Sequence, residues 1–216
     1  MIKVAAAAAT LVAFGAGGAM AQDLSVYGGA ELEFTFDENG PDTGTGTYLS
    51  GYMELESRGF YAGLWGQVAD DDTLNEVDVY LGFRNELASG LSYDFGYTRY
   101  LYPSDGGDCC GELTASLGVP ISDKLSTTLD LAYDPASSLG NAYVEVAYQA
   151  TDKFGLSANY GVYEVEEAPS ENEWDFGVTY SLTDEAAVDL RYYDGSEYVD
   201  SYIGLSLTYD TTIFTR

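Results

Sequence analysis

Apolar and polar residues alternate one by one along most of this chain, in runs of about ten residues, the period of an extended strand with two unlike faces. In NEVDVYLGF, residues 75–83, Glu76 and Asp78 point to one side and Val77 and Val79 to the other. Twelve such segments follow one another, at 24–36, 47–57, 60–69, 75–86, 90–102, 111–119, 125–134, 141–150, 154–164, 172–182, 186–194 and 201–210. Each has about the length that a tilted strand needs to cross a bilayer.

The connections alternate as well. SRG (57–59), ASG (88–90), PISDK (120–124), TDK (151–153) and TDEA (183–186) read as tight turns, and between them lie longer polar loops at 37–46, 70–75, 103–111, 134–141, 164–172 and 194–200. Short turns on one rim and long loops on the other are the organisation of a bacterial outer-membrane barrel, with the short rim periplasmic. Charge sorts along the same axis: Arg58, Lys124, Lys153 and Arg216 fall on the short-turn side, while the long loops hold acids and no lysine or arginine.

Across the segments, one face is built from residues such as Leu49, Met53, Leu55, Leu64, Val79, Leu81, Phe95, Leu131, Phe176 and Leu205, with Arg99 its only charge. A charge at mid-depth on a lipid-facing surface costs about 2–4 kcal/mol, so this composition is what lipid demands. The opposite face carries Glu31, Glu33, Glu54, Glu56, Glu76, Asp78, Asp94, Glu112, Asp130, Glu145, Glu173, Asp175 and Asp189, and only Arg84 and Arg191 as cations. Alternation alone also describes a secreted soluble β-sandwich that binds a ligand. The loop alternation and the Tyr and Trp residues gathered near segment ends, where rings meet lipid headgroups, favour a membrane. The predicted fold is all-β, a single antiparallel up-and-down transmembrane β-barrel of about 12 strands, with the acids of NEVDVYLGF facing the lumen.

The first residues, MIKVAAAAATLVAFGAGGAMAQ, place one lysine before an apolar run that ends in Ala19-Met20-Ala21. This is the pattern of a Sec signal peptide, so residues 1–21 are expected to be removed and 22–216 to form the barrel domain. The expected location is the outer membrane of a Gram-negative bacterium, where lipid and lipopolysaccharide are the surrounding partners.

The chain has 36 Asp and Glu against 8 Lys and Arg, a formal net charge of −28, and no histidine. Nucleic acid is excluded as a partner, since its binding relies on cations that neutralise phosphates. The missing histidine removes Ser-His-Asp hydrolysis and His-ligated zinc or haem, and no enzymatic activity and no cofactor are expected. Tyrosine (20) and glycine (25) are abundant and proline (5) is scarce, a composition of β-structure and not of disorder.

The segments GFYAGLWGQV, EVDVYLGF, GLSYDFGYTRYLYP, LDLAYDPA, GLSANYGVYE and EWDFGVTYSLTD, in this order and spacing, resemble the TorF family of porins, a proteobacterial outer-membrane β-barrel family. The resemblance covers most of the chain after the export segment. It implies an outer-membrane location and a pore, and it brings no catalytic or ligand residues. The first loop departs from the family, which tends to an Arg-Gly-rich segment where DENGPDTGTG stands here.

The acids predicted to line a pore are Glu31, Glu33, Glu54, Asp78, Asp130, Glu145 and Asp189, with Arg84 and Arg191 among them. Fixed carboxylates in a narrow channel concentrate cations and repel anions. The expected function is passive diffusion of small hydrophilic solutes, with a preference for cations and a conductance that falls on acidification. The alternative is a structural or adhesive barrel whose interior acids plug the lumen by satisfying Tyr and Arg. Arg84 and Arg191 either form a cationic strip or, more in keeping with their surroundings, bridge to acids that hold the barrel's shape. Arg99 is left between lipid phosphate and the barrel interior. DDD at 70–72 lacks the spacing of an EF-hand, and it reads as a solvated loop without a metal. Cys109 and Cys110 are too few for a Cys-rich zinc site and are expected to form a vicinal disulfide or to link another chain.

Overall fold

The computed structural model describes residues 24–37, 45–196 and 201–216. The expected export segment 1–21, most of the 37–46 loop and the end of the 194–200 loop lie outside the described residues. Twelve strands run in chain order: β1 (Ser25–Asp37), β2 (Thr45–Ser57), β3 (Phe60–Ala69), β4 (Glu76–Glu86), β5 (Ser92–Tyr102), β6 (Gly107–Ser122), β7 (Leu125–Asp134), β8 (Leu139–Gln149), β9 (Phe154–Tyr163), β10 (Glu171–Ser181), β11 (Ala186–Gly195) and β12 (Tyr202–Thr215). Every strand pairs with its sequence neighbour, and β1 pairs antiparallel with β12, so the sheet closes into a barrel without free edges. At the seam the Leu24 N–H donates to the Arg216 carbonyl (3.3 Å) and the Arg216 N–H to the Leu24 carbonyl (3.0 Å).

Burial is inverted relative to a soluble protein. Among the described residues no apolar side chain is buried, whereas Glu54, Glu76, Asp78, Glu171 and Asp175 are. In β4, Glu76 and Asp78 are 5% and 7% exposed, while Val77, Val79 and Leu81 are 37%, 41% and 56% exposed. Two stacked sheets would bury the Val and Leu face against itself, so the soluble sandwich is ruled out by this geometry. The apolar surface is the outside of the cylinder, as required of a barrel whose solvent is hydrocarbon.

Two strands run well past the bounds that alternation predicts, by four residues or more at one end. β6 begins at Gly107, not 111, because a bulge lets Cys110 pair with Tyr100 and Asp108 with Leu101, leaving Cys109 as the extra residue. One added residue reverses the alternation on either side, which hides the strand from a period-2 reading. β12 continues to Thr215 through a second bulge, where Val26 pairs with Phe214 and Tyr27 with Thr212. Pro120, read as part of a turn, is inside β6 next to an irregularity between Pro120 and Ser122, a position where its missing N–H is tolerated.

Candidate functional site: the acid-lined interior

Strand alternation delivers the polar residues to the interior, and glycines set how they lie. Tyr80 stands directly across from Gly63, Tyr61 from Gly82 and Tyr143 from Gly161. A Cβ on any of these three glycines would collide with the ring opposite. The rings therefore lie along the wall over their glycine partners and not across the lumen. This pairing is one use of a composition rich in both Tyr and Gly.

The interior has two kinds of carboxylate environment. Toward the short turns, near the end of β4, Arg84 binds the carboxylates of Glu54 and Glu56 on β2. Its guanidinium also lies 4.8 Å from the centroid of the Tyr61 ring, and the Tyr61 hydroxyl donates to Asp94 at 2.6 Å. At mid-barrel, Arg191 binds Asp175 on β10 and, through Nε, Asp189 at 3.2 Å. Its Nη2 donates to the Ser157 hydroxyl on β9 at 2.7 Å, crossing Gly177, whose missing side chain leaves room. Each arginine thus ties together three strands of the wall.

Toward the long loops the carboxylates are held by hydroxyls. Tyr102 donates to Glu76 (2.9 Å), Tyr100 to Glu112 (2.8 Å) and Tyr143 to Glu173 (2.7 Å), while Ser196 donates to Glu171. None of these four acids has an ion pair among the described residues. Among the described residues, two buried side-chain oxygens have no hydrogen-bond partner, Asp78 Oδ1 and Asn159 Oδ1.

The nine residues predicted to line a pore are distributed over these environments. Glu54 gathers on Arg84, and Asp189 gathers on Arg191. Asp130 accepts from the Ser116 hydroxyl and belongs to neither cluster. Glu31 and Glu33 lie two residues apart on β1, with Glu33 filling the space over Gly204. Glu145 pairs across the sheet with Asn159, and Asp78 with Trp65 and Tyr100. Sequence reasoning left out the tyrosines and Trp65 as site residues. Their parity in the alternation, inward at 61, 65, 80, 100 and 102, was the available signal.

Outside the interior, Arg99 does not turn inward. It shares the face of Val79 and pairs through two bonds of 2.6 Å with Asp108 across the β5–β6 hairpin. Cys109 and Cys110 are disulfide-bonded to each other at that hairpin. Asp71, in the 70–75 loop, accepts from the Thr73 N–H (3.0 Å) and hydroxyl (2.7 Å), bonds that hold its carboxyl below the usual carboxylate range. The described residues contain no group of three or more His, Cys, Asp or Glu placed to hold a metal ion.

The barrel is similar to solved outer-membrane structures at low sequence identity. The KdgM porin aligns with a TM-score of 0.65 at 10% identity, covering 84% of this chain and 98% of that one. The NanC porin gives 0.61 at 12% identity, covering 86% and 100%. The COG4313 outer membrane channel from Pseudomonas putida F1 gives 0.54 at 9% identity, covering 91% and 97%. These likenesses show a shared fold. No functionally curated protein matches the chain in sequence. Residues 49–214 match the sequence model of one family, and the chain belongs to it: Gcw_chp, a bacterial protein family of unknown function.

Proposed function

We propose that this protein is a channel in the outer membrane of a Gram-negative bacterium, through which small hydrophilic solutes diffuse passively and cations pass in preference to anions. The observation that carries this reading is the inverted burial: apolar residues are exposed around the whole barrel and carboxylates are buried within it. Hydrocarbon is the medium that makes the first half favourable, and an aqueous, cation-attracting interior suits the second. The segments that resemble the TorF family and the fold shared with porin structures support the same reading.

The solute expected for this wall differs from the ligand seen with one structural neighbour. The KdgM porin has been solved in complex with disordered oligogalacturonate, a polyanion. A lumen rich in acids, with two arginines already bound to carboxylates, repels such a cargo. The scaffold is shared with these neighbours, and the charge pattern of the wall is this chain's own.

Reconstitution in planar bilayers tests the proposal. Under a salt gradient, discrete current steps and a reversal potential on the cation-selective side are expected, with selectivity declining as acidification protonates the wall. Absence of steps favours the alternative of a structural or adhesive barrel plugged by its own hydrogen bonds, and an anion-selective potential removes the role given to the acids.

A further inference from the structure

Asp78 is the buried acid that its surroundings leave incomplete. It is 7% exposed, its Oδ1 has no hydrogen-bond partner, and its carboxyl lies within hydrogen-bonding reach of that of Glu76, two residues earlier on the same face of β4. Two carboxyls so close are not both ionised on their own: one keeps a proton shared with the other, or a bound cation takes that proton's place. Among the described residues neither has an ion pair, since the two interior arginines are bound elsewhere. Tyr102 donates to Glu76, which satisfies one oxygen and adds no charge.

The neighbours of the pair are aromatic. Trp65 on β3 and Tyr100 on β5 are the direct cross-strand partners of Asp78, so their rings flank it on the lumenal face. Ca²⁺ takes six to eight oxygen ligands and Mg²⁺ near-octahedral ones, which two carboxyls beside indole and phenol rings supply poorly. An ammonium group needs only a few acceptors and is attracted to ring faces as well. Glu76 opens β4 and Tyr102 closes β5, so the place is at the long-loop end of the lumen, where an incoming solute would meet it first.

We propose that Glu76 and Asp78, flanked by Trp65 and Tyr100, form a binding station for a small organic ammonium ion at the long-loop mouth of the lumen. The proposal rests on the channel reading for its purpose, and the site itself can be measured without any current. The chain has two tryptophans, and the other, Trp174, packs against Tyr192 on the outer face with ring centroids 5.6 Å apart. Trp174→Phe therefore leaves Trp65 as the sole reporter.

The folded barrel in detergent, carrying Trp174→Phe, is titrated with butylammonium chloride at constant ionic strength, with 1-butanol as the uncharged control. A saturable change in Trp65 emission with butylammonium and none with butanol is expected. The half-saturating concentration should rise about tenfold or more in Asp78→Asn and in Glu76→Gln, the loss of one charge-assisted contact, and stay unchanged in Glu185→Gln at the short-turn rim. Heat-modifiable gel migration shows which variants fold, and either of the two site variants suffices. The proposal is overturned if the folded site variants titrate like the parent, if no saturable change occurs, or if Ca²⁺ or Mg²⁺ produces the change and butylammonium does not. Binding without bilayer current leaves the site standing and removes the channel, whereas current without binding removes the site alone.

Discussion

The interior from the short turns to mid-barrel and the interior at the long-loop mouth use the same kind of acid in different ways. Around Arg84 and Arg191 each permanent cation is shared by two carboxylates and links neighbouring strands, so about half of their charge is offset in holding the wall. At the mouth, Glu76, Glu112 and Glu173 are positioned by tyrosine hydroxyls, which fix a carboxylate and leave its charge uncancelled. The difference teaches that a count of lumenal acids does not measure the field a solute meets. What counts is whether the donor to each acid carries a charge of its own.

The largest expected effect comes from removing the cation of the first region. Arg84→Met leaves Glu54 and Glu56 side by side without it, and chemical unfolding of the folded barrel should show a loss of about 3 kcal/mol. A loss near zero would mean that water already screens this cluster. Next is the conversion of one region into the other. Tyr100→Arg puts a permanent cation beside Glu112 and Asp78, and the cation-to-anion permeability ratio should fall several-fold in bilayer recordings. An unchanged ratio would show that the mouth does not set selectivity.

A smaller effect is expected from Tyr102→Phe, which removes a single neutral donor to Glu76. The stability loss should be about 1 kcal/mol, against the larger one at Arg84, with the permeability ratio kept because the charge is untouched. The smallest concerns Asp71, outside both regions. Its carboxyl is held below the ordinary range in the folded protein, so whatever it contributes is present above that range and is lost as pH falls through its lowered value. Asp71→Asn should flatten only the acid end of the stability profile.

The sequence made the wall legible and its internal wiring illegible. Glu76 and Asp78 could be assigned to the interior because each strand obeys period 2 and because the β4 valines offer no other use for their face. The same rule failed at Cys109 and at the end of β12, where an extra residue shifts the parity. Partnerships were a different matter. Tyr52 donates to Asp210, 158 residues away, a contact that exists only because β1, β2 and β12 meet at the closure. Arg191 reaches Asp175 and Ser157 only through the register that sets Gly177 beneath it. Which tyrosine serves which acid depends on the stagger of neighbouring strands, and alternation along one strand carries no information about stagger.

Joining the earliest strand to the latest has a consequence for how this molecule comes into being. While β12 is missing, β1 and β11 each present a row of unsatisfied amides and carbonyls, which neither lipid nor neighbouring chains tolerate passively. Completion waits on the contact most remote along the polypeptide, a slow kind of event in any folding reaction. The Leu24 and Arg216 amides thus act as a clasp, and damage to those few terminal residues should do more harm to assembly than an equal cut in any loop.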